Sequence, residues 1–140
     1  YGVKFINSQH LLELPREQVF LEPYDSHLSR YANLLISDQL ELELAKQNKL
    51  PKKTIKCDNI SGMWEPNKKE LWPVNPEVPY LVTTDNYGFR SSLPLTEDSS
   101  QRPTVLISGD SMTFGPYLSS YDTYPAHLQR KTKDFSIING

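Results

Sequence analysis

Thr104-Val105-Leu106-Ile107-Ser108-Gly109-Asp110-Ser111-Met112-Thr113-Phe114-Gly115 is the stretch whose reading decides the fold of this chain. Its first four residues are apolar or β-branched with no polar alternation, which suits a strand buried on both faces in a parallel sheet. Ser108-Gly109 ends that run. Downstream, Asp122 or Thr123 can cap a helix that carries Pro125 in its first turn and turns Ala126 and Leu128 inward. Phe135-Ser136-Ile137-Ile138 reads as the next buried strand. Strand, helix and strand within roughly 35 residues make the βαβ unit of an α/β sheet, so the two strands are expected to lie parallel.

The reactive group of such a unit is expected just beyond the carboxyl end of a strand, where open α/β sheets bind ligands. Gly109 lets the backbone reverse there, and Ser111 is lifted out of the sheet beside the first N–H groups of the following turn, which favour developing negative charge. Gly115-Pro116 stops that turn almost at once. A short turn that presents a hydroxyl makes more sense as a site than as a structural element. A hydroxyl alone is a weak nucleophile and needs a neighbouring base, usually a histidine that a carboxylate orients.

Upstream the punctuation changes. Seven of the 11 prolines (Pro51, Pro66, Pro73, Pro76, Pro79, Pro94 and Pro103) fall between residues 51 and 103, so that stretch is expected to be extended or irregular. Within it Tyr80-Leu81-Val82-Thr83-Thr84 is strand-like, and Asp85-Asn86-Tyr87-Gly88 is turn chemistry with Gly88 free to take a positive φ. Leu95 to Arg102 reads as a polar loop. Before the prolines lie a short helix opened by Pro15 and closed ahead of Pro23, then a longer one from about Ser26 to Asn48. The longer one would be capped by Asp25 or Ser26 and carry Leu28, Tyr31, Leu35 and Leu42 on one face, although Leu40 to Leu44 alternates with period two and also fits a strand. Lys49, Lys52, Lys53 and Lys56 read as a solvated loop. The organisation is therefore a helical and irregular segment over 1–59, followed by an α/β domain over 60–140.

Composition narrows the partners. A length of 140 residues suits one domain, and with 15 basic and 17 acidic side chains the net charge is −2, which gives no reason to expect nucleic acid. The single cysteine, Cys57, excludes an internal disulfide and a cysteine-cluster zinc site. No apolar stretch is long enough to span a membrane, and no signal peptide is recognisable. With Tyr1 first and Gly140 last, both ends read as cut, so a piece of something longer is expected. No Gly-rich phosphate loop, metal-spaced His/Cys set or basic recognition helix is found, so no cofactor is expected.

Gly109-Asp110-Ser111, with Thr113 and Gly115 at matching offsets, resembles the first block of the SGNH (GDSL-type) hydrolases. A chance match to five fixed residues is about one in a million per window at average residue usage. The resemblance continues through Tyr124-Pro125-Ala126, Leu128 and Ile137-Ile138-Asn139-Gly140. Asn86-Tyr87-Gly88-Phe89-Arg90 is similar to the N-x-x-G-F-R element of a bacterial, often membrane-attached branch, and Glu65-Pro66-Asn67 to its x-P-N element. The likeness spans roughly residues 60 to 140 and implies a flavodoxin-like parallel sheet of which only the first βαβ portion is here. It also implies an extracytoplasmic or membrane-attached parent and a serine esterase or acyltransferase acting on a small-molecule or carbohydrate acyl ester.

By that resemblance Ser111 is the nucleophile and its backbone N–H an oxyanion donor, with Gly109, Asp110, Thr113 and Gly115 supporting the turn and Arg90 either lining the site or tying the upstream segment to the sheet. The other blocks of the family, a glycine, an asparagine and an Asp-x-x-His pair, find no counterpart among the 140 residues. His10 and His27 read as surface or local structural residues, and His127 as sitting on a helix that the strand-to-helix loop separates from the serine turn, so it is not expected to supply the base. The chain alone is therefore expected to hydrolyse p-nitrophenyl acetate no faster than its Ser111→Ala variant. Trp64, Trp72, Tyr87 and Tyr117 could stack on a sugar or simply pack. The alternative function is a non-catalytic binding or scaffolding domain on the same fold.

Overall fold

The computed structural model describes residues 9–21, 26–46, 62, 64–73, 79–91 and 102–140. Asp25, the lysine run from Lys49, Cys57 and most of the loop from Leu95 lie outside these residues. The described chain is mixed α/β, with helices and two small sheets, one of them a parallel pair. No helix among the described residues is long and apolar enough to cross a membrane.

After a 3₁₀ turn at Gln9–Glu13 come α1 (Arg16–Val19), with Pro15 at its N-cap, and α2 (Arg30–Ala45). The sequence reading of α2 needs correction. Ser29, not Asp25 or Ser26, is the cap, its hydroxyl accepting the Ala32 N–H at 3.1 Å. Leu40 to Leu44 is helical, because alternation in a chain of strong helix formers does not overcome their propensity. The inward side is also different: Ala32, Asn33 and Ser37 are buried while Tyr31 and Leu42 are exposed. Two partners pull the helix that way. Ala32 packs with Leu11 and Val19 in a small core, bordered by Leu35 and Ile36, and the other flank lies against the helix that precedes the last strand.

Strands β1 (Lys69–Trp72) and β2 (Tyr80–Thr83) pair antiparallel, with Lys69 opposite Thr83 and Trp72 opposite Tyr80. β3 (Thr104–Ile107) and β4 (Ser136–Asn139) pair parallel, Thr104 opposite Ser136 and Ile107 opposite Asn139. Between them lie α3 (Ser111–Phe114) and α4 (Tyr124–Lys131), with Pro125 in the first turn of α4. Ala126 and Leu128 of α4 are buried, Leu128 to 1% exposure, and all of β4 is covered. At ~1.5–3 kcal/mol per fully buried aliphatic side chain, Leu128, Ile137 and Ile138 are the main hydrophobic anchor of this unit. β3 departs from its reading as a strand buried on both faces: Thr104 is exposed and Leu106 is 53% exposed. Among the described residues α4 packs on β4, and Leu106 of β3 keeps about half of its surface in solvent.

Candidate active site around Ser111

Ser111 is the first residue of α3 and follows β3 through Ser108-Gly109-Asp110, so it stands at the carboxyl end of a parallel strand. The turn is built around Asp110. Its carboxylate Oδ1 accepts the Met112 N–H at 2.9 Å, and its carbonyl accepts Thr113 N–H at 3.0 Å and Phe114 N–H at 3.1 Å. Asp110 is therefore the cap, which leaves the Ser111 hydroxyl with no capping duty; the Ser111 N–H is not among the amides Asp110 takes. Gly109 has to be glycine because a Cβ there would run into the Thr113 side chain, which is buried and hydrogen-bonded at 2.8 Å to the Tyr124 hydroxyl. Gly115 closes the turn at φ 73°, and a side chain there would press on Thr123.

Ser111 itself is exposed, and its Oγ lies 2.9 Å from Nε2 of His27. The hydroxyl donates when the imidazole carries its proton on Nδ1. The ring of His27 stands 5.7 Å from that of Tyr117, tilted by 56°. Sequence alone assigns His27 a surface or local structural role, because 84 residues separate it from Ser111 and no spacing rule links them. The other histidines lie elsewhere. His10 is hydrogen-bonded to Gln39 at 3.1 Å. His127 is buried in α4 with Nδ1 2.6 Å from Arg130, and burial, reinforced by the Arg130 charge, pulls its pKa below the ordinary histidine value.

Beside the serine opens a cleft of about 450 Å³ lined by Trp64, Phe89, Phe114, Asp110, Ser111 and Asn139 among others. Trp64, 38% exposed, meets Trp72 edge-on at 4.7 Å and Phe114 at 6.0 Å. Trp72 thus packs behind Trp64 rather than facing the cleft. The exposed ring of Tyr87 is not among the lining groups.

Arg90 borders the cleft, but its guanidinium is turned to structural use. Nε donates to Ser120 Oγ at 3.0 Å, one terminal nitrogen to the carbonyls of Phe114 and Gly115, and the other to the carbonyl of Leu118. Its face lies over Phe114 at 4.5 Å and Tyr80 at 5.8 Å. It is 3% exposed, and burial pulls its pKa down to about 10, so it stays charged at neutral pH. The two upstream elements singled out in the sequence lock onto each other. The buried carboxylate of Asp85, whose pKa burial raises, accepts the N–H groups of Tyr87 at 2.8 Å and Phe89 at 3.0 Å. Gly88, at φ 83°, accepts the Trp64 N–H at 3.3 Å, and the Asn67 N–H reaches the Asp85 carbonyl at 2.9 Å.

No family model, curated protein or solved structure matches this chain. Among the described residues no three His, Cys, Asp or Glu side chains gather as a metal set. What the arrangement offers chemically is an exposed hydroxyl on a glycine-bounded turn, an imidazole nitrogen in contact with it, and an aromatic-walled cleft alongside.

Proposed function

We propose that this chain carries the nucleophile of an SGNH-type serine ester hydrolase, or of an acyltransferase with the same first half-reaction, and that β3, α4 and β4 are the first unit of a flavodoxin-like sheet. The observation that carries this reading is the state of Ser111: exposed at the end of β3, released from capping by Asp110, and opening on a cleft. Ser111 Oγ attacks the ester carbonyl, and the Ser111 N–H stabilises the oxyanion that develops. Trp64, exposed at the rim of the cleft, supports a carbohydrate ester as substrate class, since indole faces stack on sugars.

The test is labelling of the full 140-residue chain with a fluorophosphonate, followed by peptide mapping. A phosphonylated Ser111, absent from the heat-unfolded chain and from Ser111→Ala, is the expected result. Labelling that misses Ser111, or that proceeds equally in the unfolded chain, overturns the reading and leaves the fold to a binding or scaffolding role.

A further inference from the structure

We infer that His27 is the proton acceptor of Ser111, so that the N-terminal segment supplies the base and the turn after β3 the nucleophile of a dyad. The inference rests on the reading of Ser111 as a nucleophile and adds the residue that makes it reactive. A general base has to lie within hydrogen-bond reach of the proton it takes, and Nε2 of His27 is 2.9 Å from Ser111 Oγ.

The contact is held from both sides. Leu28 bridges antiparallel to Phe20, the Leu21 N–H donates to the His27 carbonyl at 3.0 Å, and the Ser29 N–H to the Val19 carbonyl at 2.8 Å, so the backbone on either side of His27 is pinned to the end of α1. Asn33, at 0% exposure, then ties that segment to the serine unit. Its Nδ2 donates to the carbonyls of Leu28 and Ser29 at 3.3 and 2.9 Å, and its Oδ1 accepts the Tyr124 N–H at 2.8 Å. Tyr124 in turn reaches Thr113 in α3, two residues past Ser111, through its hydroxyl. A fully buried asparagine with both ends of its amide engaged is an orienting device, since an apolar residue packs a helix face as well. The ring of Tyr117 also stands against His27, from a backbone held at φ 64°. For a tyrosine this left-handed conformation is strained, and such strain gathers at working sites.

As Ser111 Oγ bonds to the ester carbonyl carbon, its proton passes to His27 Nε2 and the carbonyl π pair becomes the oxyanion. When the oxyanion collapses, the bond from carbonyl carbon to alcohol oxygen breaks, and the His27 proton goes to the departing alkoxide. Water then loses a proton to Nε2 as its oxygen adds to the acyl carbon, and Ser111 leaves with that proton while the carboxylic acid is released.

Hydrolysis of p-nitrophenyl acetate by the full chain tests this against the expectation, drawn from the sequence, of a chain with no base. The dyad requires a rate above that of Ser111→Ala, a drop of about 10²-fold or more in His27→Gln, and recovery of His27→Gly by added imidazole. The imidazole arm separates loss of the base from loss of the fold, and fluorophosphonate labelling of Ser111 in the parent chain checks the serine itself. A serine-dependent rate that His27→Gln leaves within threefold overturns the dyad while the nucleophile reading stands. No serine-dependent rate and no Ser111 labelling overturns both, and labelling without a rate above Ser111→Ala overturns the dyad alone.

Discussion

Replacing Arg90 by lysine keeps the charge and removes the geometry, which makes it the sharpest probe of what holds the loop behind the serine turn. The guanidinium makes four hydrogen bonds, to the carbonyls of Phe114, Gly115 and Leu118 and to Ser120 Oγ, from three separate nitrogens. An ammonium group has three donors on one atom and can satisfy about two of these acceptors at once. Two lost bonds to a charged donor amount to ~3–6 kcal/mol gross. Water entering from the cleft that Arg90 borders recovers part of this, which leaves ~2–4 kcal/mol. That is a large share of the ~5–15 kcal/mol by which a domain of this kind is stable.

Arg90→Met tests the other side of the balance. It loses all four bonds but also the desolvation that pulls the guanidinium down to about 10, a penalty of ~3 kcal/mol at about 1.4 kcal/mol per pKa unit. The methionine variant is therefore expected within ~1–2 kcal/mol of the lysine variant rather than far below it. Urea unfolding followed by the fluorescence of Trp64 and Trp72 measures both, with hydrogen exchange over residues 115–120 as the local readout. An Arg90→Lys protein within 0.5 kcal/mol of the parent by the usual error of such comparisons, with unchanged exchange, refutes the assignment of Arg90 as the brace of that loop.

Two further outcomes follow from the same frame. Gly88→Ala is expected to destabilise by ~2 kcal/mol or more, because alanine at φ 83° is strained and its Cβ would run into the Trp64 carbonyl, which is backbone and cannot rotate away; an unchanged urea midpoint would show that this close approach is not maintained. His127 is held below its ordinary pKa, so the unfolded chain binds the proton more readily, and the stability this residue confers is present above about pH 6.5 and is lost as pH falls toward and through the folded value. His127→Gln should flatten the fall in unfolding midpoint between pH 7 and 5, and a fall as steep as the parent's would assign it to other groups.

The parallel unit was legible because its signals are local. A short β-branched run, a glycine turn, a proline in the first turn of α4 and a second apolar run each report on their own few residues, and the structure sets β3 and β4 side by side. The buried face of α2 was not legible, because it is chosen by what packs against it. Leu42 is a better core residue than Asn33 by composition, yet Leu42 is 63% exposed and Asn33 fully buried. Asn33 faces a helix N-terminus whose Tyr124 N–H needs an acceptor, a demand that arises only once α2 and α4 are in contact. His27 escaped for the same reason. Its neighbours in sequence say nothing about Ser111, and the contact exists only after the N-terminal helices have docked on α4.

Under the proposed dyad, that docking gives the helices before the proline-rich stretch a role beyond packing. Their ion pairs with the α/β unit, Arg30 to Asp122 at 2.8 Å and Lys131 to Asp38, are partly exposed and are each worth about 0–1 kcal/mol. Such contacts attach one surface to another without fixing its position to a fraction of an ångström. The buried amide of Asn33 can do so: its Nδ2 is fixed by the carbonyls at the start of its own helix, and its Oδ1 makes the directional bond to the Tyr124 N–H that a sliding movement of α2 against α4 would break. On this view the helices set the distance between imidazole and hydroxyl, and the weakest link is Asn33 rather than any apolar contact. Asn33→Leu keeps a side chain of similar volume there, yet it leaves the Tyr124 N–H and the Leu28 carbonyl to find other partners, while the Ser29 carbonyl keeps the backbone N–H of residue 33. Loss of serine-dependent turnover in a folded Asn33→Leu protein would locate the positioning device in that one amide. Turnover retained at the parent's level would mean that shape alone brings His27 to Ser111.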